Sequence, residues 1–156
     1  MLGFLGEYEI AIDPKGRLLL PAGFRKQLEH AEAERFVINR GFENCLTLYT
    51  VKGWEALTEK INKLNDFNPK VREFKRLFLN GATLVDTDSA ARILIGKSLL
   101  AYAGIEKDVV FSAQGNKVEI WDKNRYHNYI QTQAENFSDL AAEVAGGDFL
   151  NPFDQL

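Results

Sequence analysis

Apolar residues lie mostly in short runs that are bounded by Gly, Pro, Asp or Asn. Residues 7–12 alternate imperfectly and lead into Asp13-Pro14-Lys15-Gly16-Arg17, which is followed by Leu18-Leu19-Leu20. Asp, Pro and Gly between two strand-like runs are typical of a tight turn. The pattern therefore predicts a pair of strands joined by a turn, with Lys15 and Arg17 at its tip.

The same layout recurs at Asp88-Ser89-Ala90-Ala91-Arg92, which is followed by Ile93-Leu94-Ile95. In both places an Asp is followed four residues later by an Arg, and then by three large aliphatic residues. The flanking segments also match: Phe4-Leu5-Gly6 with Leu79-Asn80-Gly81, Phe36-Val37-Ile38 with Val109-Val110-Phe111, and Leu46-Thr47-Leu48-Tyr49 with Val118-Glu119-Ile120-Trp121. A repeat of this length indicates two copies of one small fold in tandem.

Helices are predicted after each turn and between the two copies. Pro21 suits the first turn of a helix that reaches about Leu28, and Asn68-Pro69 combines a capping residue with Pro at the first position. Four basic residues follow Pro69, and we interpret them as a solvated face rather than a nucleic-acid-binding patch: Lys70, Arg72, Lys75 and Arg76. After the second copy we expect a helix from about Lys123 to Glu135, then another that is capped by Ser138 and ends at Gly146-Gly147.

Composition places the chain among ordinary globular proteins of one or two small domains, with 156 residues of which 46% are hydrophobic. A single cysteine, Cys45, excludes an internal disulfide and fits a reducing compartment. The N-terminus lacks a basic region followed by a long apolar run, so no signal peptide is indicated. No apolar run is long enough to span a bilayer.

The formal net charge of the chain is -3, whereas a nucleic-acid-binding protein is expected to have a basic surface. Residues 137–156 contain four acidic residues and no Lys or Arg, so removing them changes the balance from 19 basic and 22 acidic residues to 19 and 18. The remaining net charge of +1 is small. Strong DNA binding would therefore require several copies acting together.

Catalytic and metal-binding patterns are absent from the sequence. Gly96-Lys97-Ser98 resembles part of a phosphate-binding loop, but such a loop needs a Gly at position 91, which is Ala91. The two histidines, His30 and His127, are far apart and have no neighbouring ligand pattern. Cys45 is best interpreted as a small apolar residue of a strand. The sequence thus predicts no enzyme, no metal site and no cofactor.

The repeated motif and its surroundings resemble the MraZ family, in which two SpoVT/AbrB-like swapped-hairpin units are fused in one chain. The resemblance extends to about Tyr126 and rests on seven segments: Phe4-Leu5-Gly6-Glu7-Tyr8, Asp13 to Arg17, Leu18-Leu19-Leu20-Pro21, Arg40-Gly41, Arg76-Leu77-Phe78-Leu79, the Asp88/Arg92 motif and Glu119-Ile120-Trp121. It implies an α+β fold of tandem duplicated swapped-hairpin β-barrel units with short flanking helices. The corresponding domains are a first unit with connector helices (1–76), a second unit (77–136) and an acidic tail (137–156).

The function implied by this resemblance is sequence-specific DNA binding by a transcriptional regulator of the cell-division and cell-wall gene cluster. The implied partners are double-stranded promoter DNA, with repeated sites, and further copies of the chain in a ring-shaped homo-oligomer. The implied location is the cytoplasm, at the nucleoid, without a membrane. The alternative is an antitoxin-like protein–protein interaction module without enzymatic activity, suggested by the acidic balance and by an apolar tail: Phe149, Leu150, Phe153 and Leu156.

The motif pairs Asp13/Arg17 and Asp88/Arg92 contain the candidate site residues. For Asp13, hydrogen bonding within the turn is the ordinary role. In AbrB-like units the basic residues of the loop and the next helix face DNA, so the resemblance assigns that role to Arg17, Arg25 and Lys26, with Lys15 beside them. The second copy departs from this pattern, because Ala90, Ala91, Leu100 and Ala101 occupy the positions of Lys15, Gly16, Arg25 and Lys26. We therefore expect Arg17 to contribute more to DNA binding than Arg92.

Overall fold

The computed structural model describes residues 3–144 of the chain. The strands are β1 (Phe4–Ala11), β2 (Arg17–Leu19), β3 (Arg35–Arg40), β4 (Leu46–Thr50), β5 (Thr83–Asp86), β6 (Arg92–Leu94), β7 (Asp108–Gly115) and β8 (Val118–Asp122). The helices are α1 (Ala22–Arg25), α2 (Val51–Asn62), α3 (Pro69–Leu79), α4 (Lys97–Ala103) and α5 (Lys123–Ala134), with a 3-10 turn at His30–Glu34. The fold is therefore α+β, as the sequence predicts.

Six of these strands form one antiparallel sheet in the order β1-β7-β8-β4-β3-β5, and β2 and β6 form a separate two-stranded ribbon. The pairs β1–β7, β4–β8 and β3–β5, together with the ribbon, each join a strand of the first repeat to a strand of the second. Both repeats therefore contribute to one sheet and one core. Neither repeat forms a sheet of its own in the part of the chain that the structure describes.

The sheet is open, so the expectation of closed barrels is wrong in this respect. Strands β1 and β5 are its edges. At the β1 edge the backbone of Leu5 is satisfied by a side chain instead of a further strand, because the Leu5 N–H donates to Gln27 Oε1 at 2.9 Å and Gln27 Nε2 donates to the Leu5 carbonyl at 2.7 Å. The Gln27 side chain therefore occupies one position of this edge, at which a further strand would otherwise pair.

The core is apolar and lies between the sheet, the ribbon and helices α1 and α4. Phe24 of α1 is 1% exposed and contacts three rings of the sheet, Phe4 at 5.2 Å, Phe36 at 6.2 Å and Phe111 at 5.0 Å between centroids. The helix ends at Arg25, not near Leu28 as predicted. After Arg25 the chain continues in tight turns, in which the N–H groups of Gln27 and Leu28 bond to carbonyls three residues earlier.

The predicted start of α3 is confirmed: Asn68 is its N-cap, and Asn68 Oδ1 accepts a hydrogen bond from the Lys70 N–H at 2.9 Å. Helix α2 is capped by the Thr50 side chain, which accepts from the Gly53 N–H at 3.0 Å. The two helices contact each other through Trp54 and Phe78, whose rings are stacked 6.0 Å apart. These contacts attach the connector between the repeats to the sheet through α2.

The described residues fall into two compact units that divide between Lys123 and Asn124. The first unit contains both turns, the sheet and the ribbon. The second contains most of α5 and a helical segment at 137–144. Ser138 lies within that segment and is not its cap, and Gly146-Gly147 lies outside the described residues. Between residues 3 and 144, the helices are all too short or too polar to cross a lipid bilayer.

Candidate nucleic-acid interface

The first turn is built around the carboxylate of Asp13. Its Oδ1 accepts from the backbone N–H groups of Lys15 at 3.0 Å and Arg17 at 2.9 Å, and its Oδ2 accepts from Arg17 Nε at 2.6 Å. These contacts lower the pKa of Asp13 below its ordinary value, and the largest contribution comes from the Arg17 N–H group. Asp13 thus fixes the loop and orients the Arg17 guanidinium at the same time.

The second turn repeats this arrangement around Asp88. Oδ1 of Asp88 accepts from the N–H groups of Ala90 and Arg92, both at 2.9 Å, and Oδ2 accepts from Arg92 Nε at 2.9 Å. The pKa of Asp88 is likewise lowered, above all by the hydrogen bond from the Arg92 N–H group. The two motifs therefore match in their hydrogen bonds as well as in their sequence spacing.

The ribbon brings the two turns together. Arg17 pairs with Leu94 and Leu19 with Arg92 in the antiparallel register of β2 and β6. Two further bonds connect the turns reciprocally, since the Leu20 N–H donates to the Ala91 carbonyl and the Ile95 N–H donates to the Gly16 carbonyl, both at 2.9 Å. The sequence did not reveal this proximity, because the two segments are separated by 75 positions (88 − 13).

Each guanidinium group of Arg17 and Arg92 donates from Nε to the aspartate of its own turn, which leaves the terminal nitrogens for a ligand. The two side chains are 33% and 35% exposed. Within residues 3–144 their terminal nitrogens make no hydrogen bond to the protein. A guanidinium with both terminal nitrogens available can bind a phosphate, or the O6 and N7 acceptors of a guanine, in a bidentate manner.

The other predicted basic residues are solvent-exposed, but they do not all lie at the first turn. Lys15 lies at the tip of the turn, and Arg25 and Lys26 lie at the end of α1. Arg25 Nε donates to the Leu20 carbonyl at 3.1 Å, and the Leu20 N–H donates to the Ala91 carbonyl, so Arg25 lies at the end of the ribbon next to the second turn. Lys97, the first residue of α4, is also exposed, and it follows the end of β6 that is bonded to the first turn, where the Ile95 N–H donates to the Gly16 carbonyl.

The basic residues of α3 are partly occupied by contacts within the connector. Lys75 Nζ lies 2.5 Å from Asp66 Oδ1, and the Lys75 side chain is only 16% exposed. Arg72 donates from Nη1 to the Asp66 carbonyl at 2.8 Å. These contacts give α3 a structural role in the link between α2 and the second repeat.

Nucleophilic thiol chemistry is not supported at Cys45, which belongs with Glu43 and Glu119 to the one group of candidate metal ligands in the described part of the chain. Cys45 is completely buried. Burial raises the pKa of its thiol to about 12, so that the thiol keeps its proton at neutral pH. The thiolate is the nucleophilic form of cysteine. Cys45 therefore fits the packing role that the sequence suggested.

Two leucines of the ribbon were missed as candidate surface residues. The sequence suggested two uniformly apolar strands, but Leu18 and Ile93 are fully buried, whereas Leu19 is 49% and Leu94 57% exposed. The two-residue period of a strand could have indicated this alternation. Three consecutive leucines conceal it, because all three have the same polarity.

The model of the family described as MraZ protein, with a suggested antitoxin-like character, matches residues 3–77 and again residues 78–146. The chain belongs to the MraZ family. The two matches confirm the tandem repeat, and each contains one Asp-x-x-x-Arg turn.

Curated relatives of the MraZ family resemble this chain over nearly its full length. The protein from Christiangramia forsetii named "Transcriptional regulator MraZ" is 43% identical over 95% of this chain and 96% of its own length. The protein of the same name from Flavobacterium psychrophilum is 43% identical over 91% of each chain. The one from Natranaerobius thermophilus is 38% identical over 93% of this chain and 99% of its own length.

Proposed function

We propose that this protein is a sequence-specific DNA-binding transcriptional regulator that binds promoter DNA through the first turn. In this proposal Arg17 and Lys15 contact DNA from the turn, and Arg25 and Lys26 contact it from α1. The names of the relatives and the family membership support the class of function. Arg92 and Lys97 have a smaller role, because the second copy has Ala90, Leu100 and Ala101 where the first has Lys15, Arg25 and Lys26.

The observation that carries the proposal is the pair of Asp-oriented guanidinium groups on one ribbon. Arg17 and Arg92 occupy diagonal positions of β2 and β6, each fixed at Nε by an aspartate. A two-stranded ribbon can enter the major groove of B-DNA, which is about 12 Å wide. An arginine that is already oriented loses less side-chain freedom on binding than one that is mobile.

The proposed assembly is a ring-shaped homo-oligomer of chains, each with two SpoVT/AbrB-like swapped-hairpin units at 1–76 and 77–136 and an acidic tail at 137–156. The net charge of -3 gives one copy little general attraction for DNA. Several identical turns on one particle would add avidity over repeated sites. The proposed location is the cytoplasm, at the nucleoid.

Fluorescence anisotropy with DNA from upstream of the protein's own gene tests this function. A labelled duplex from that region and a shuffled duplex of the same composition are titrated at several salt concentrations. We expect the upstream duplex to bind at least about a thousandfold more tightly than the shuffled duplex. For each tenfold increase in salt concentration, its association constant should fall by about 0.9 logarithmic units per phosphate contact. Equal, weak binding of both duplexes would contradict sequence-specific regulation.

Native mass spectrometry of the same samples tests the assembly. We expect a closed oligomer with a defined number of copies, alone and on the duplex. A monomer at micromolar concentration would contradict the ring. A protein that binds no duplex but copurifies with one partner protein at fixed stoichiometry would instead support the antitoxin-like alternative.

A further inference from the structure

The outward face of the β2–β6 ribbon combines two arginines with two exposed leucines. Leu19 lies directly opposite Arg92, and Leu94 lies directly opposite Arg17. Leu18 and Ile93, between them in sequence, point inward and are 0% exposed. The outward face is thus a small square in which arginines occupy one diagonal and leucines the other.

These leucines are not accidental surface residues of one repeat. Each follows the arginine of its motif by two positions, in Arg17-Leu18-Leu19 and in Arg92-Ile93-Leu94. Single exposed apolar residues are common on proteins and need no explanation. A matched pair is different, because the two repeats differ at most basic positions nearby but agree in placing a leucine beside the arginine of this face.

The face that would enter a major groove therefore presents apolar groups as well as guanidinium groups. Among the base edges in that groove, the C5-methyl group of thymine is the apolar one. Directly paired residues of neighbouring strands lie about 5 Å apart, and stacked bases are separated by about 3.4 Å. A leucine opposite an arginine can thus reach a base one or two steps from the base that the arginine contacts.

We propose that Leu19 and Leu94 are specificity-determining residues that contact thymine methyl groups beside the positions reached by Arg17 and Arg92. The inference rests on the proposed DNA-binding function and adds to it a direct preference for thymine. The arginines would supply attraction and hydrogen bonds, and the leucines would discriminate thymine from cytosine and from uracil.

Replacement of thymine by deoxyuridine tests this contact, because it removes only the C5-methyl group. The protein first selects its binding site from a random pool of duplexes, and each thymine of the selected site is then replaced in turn. We expect about a fourfold loss of affinity at the contacted thymines, which is the loss that corresponds to one methyl group no longer buried. Replacement at thymines outside the contacted positions should leave affinity unchanged.

Leu19→Ala and Leu94→Ala complete the test. Each variant should bind the selected site more weakly and should no longer distinguish thymine from deoxyuridine at one position. Leu84→Ala is the matched control, since Leu84 is 53% exposed on β5 and outside the ribbon. It should keep the parental preference. Because all three leucines are exposed, the variants should fold, and circular dichroism checks this.

Three results would overturn the inference. The first is a selected site that binds tightly but is insensitive to deoxyuridine at every position, which would leave the proposed regulator intact. The second is a Leu19→Ala variant with unchanged thymine preference. The third is a change of oligomer mass in both leucine variants with thymine preference retained, which would place the leucines in an interface between copies. A protein that binds no duplex at all would refute the proposed function itself.

Discussion

The two Asp-x-x-x-Arg turns share their backbone hydrogen bonds but differ in the side chains at their tips. The first contains Lys15 and Gly16, whereas the second contains Ala90 and Ala91. Gly16 has φ +88, in the left-handed region where a side chain is unfavourable, and Ala91 accepts the same region with φ +63. The second turn therefore keeps the geometry at a cost in strain, and it keeps fewer cations.

The comparison distinguishes two roles of the motif, which are to fix the backbone of the turn and to supply positive charge. The aspartate, the positive φ and the arginine fix the end of a ribbon strand, and both copies need them because each turn bonds to the other. Lys15, Arg25 and Lys26 add positive charge, and only the first copy has basic residues at these sequence positions. The backbone geometry is the same in both repeats, whereas their surface side chains differ.

Separating the repeats should have the largest effect. Residues 1–75 and 76–156 expressed alone should each be poorly folded or form new homodimers. The reason is that each piece loses its partners in β1–β7, β4–β8, β3–β5 and the ribbon, and a short chain buries too little apolar surface alone. Circular dichroism and native mass measurements test this. Two stable monomers would show that the repeats are independent domains.

Substituting each of the two arginines by alanine tests whether the first turn contributes more to DNA binding than the second. If Arg17 contacts a base, Arg17→Ala should weaken operator binding by about 1–3 kcal/mol per engaged copy and relax one operator position. If it contacts a phosphate, affinity should fall evenly across sequences and the salt slope should become shallower by about 0.9. Several copies acting together would increase either loss. Arg92→Ala should cause a smaller loss.

Affinity as a function of salt, measured for both arginine variants, decides between these outcomes, with melting temperatures as the control for folding. A folded Arg17→Ala protein that binds like the parent would remove Arg17 from the interface. Equal losses for Arg17→Ala and Arg92→Ala would refute the asymmetry and favour a symmetric role for the ribbon.

Local patterns predicted the elements of the fold well, because turns and caps are set by neighbouring residues. The hydrogen bonds of Asp13 in its turn and the cap of α3 at Asn68 follow from local chemistry. The end of α1 was not predicted, since no stop signal follows Arg25. Its length is limited by tertiary contacts, above all the side-chain bonds of Gln27 to the backbone of Leu5.

The candidate site was predicted residue by residue but not as an arrangement. Repetition identified both Arg17 and Arg92, but the sequence provides no register between strands that are distant in the chain. It therefore could not place Leu94 opposite Arg17 or predict that Leu19 is exposed while Leu18 is buried. The open sheet was missed for the same reason, because strand order depends on long-range pairing.

Exchanging the residue with positive φ should affect the two turns in opposite directions. Gly16→Ala should reduce the free energy of unfolding by about 1–3 kcal/mol, because a side chain is strained at this φ. The added Cβ would also lie 2.8 Å from the Ile95 carbonyl oxygen. Ala91→Gly should increase the free energy of unfolding by about 0.5–1 kcal/mol, since relief of strain exceeds the greater freedom of the unfolded chain.

Chemical denaturation of both variants beside the parent measures these changes. The double variant Gly16→Ala/Ala91→Gly is informative as well, because the two turns are bonded to each other and the changes need not add. Destabilisation by Ala91→Gly would indicate that the alanine side chain has a packing role in the second turn.

The smallest expected effect is a loss of folding stability at low pH, to which the two turns should contribute alike. The pKa values of Asp13 and Asp88 lie below the ordinary value of 3.8, each mainly through a backbone N–H group of its own arginine. The unfolded chain therefore binds more protons in this range, so stability rises with pH. The contribution is fully present above about pH 4 and is lost as the pH falls through the lowered pKa of the folded state.

Asp13→Asn and Asp88→Asn should each reduce this loss of stability in acid by a similar amount, because the donors to the two carboxylates correspond one to one. Asp139→Asn is the control, since Asp139 lies in the second compact unit, in the 137–144 helical segment. The measurement is the free energy of unfolding between about pH 2 and pH 6. If only one of the two variants changed the sensitivity to acid, the two carboxylates would not be equivalent in spite of their matching hydrogen bonds. The repeats would then differ in the turns themselves as well as in their surface side chains.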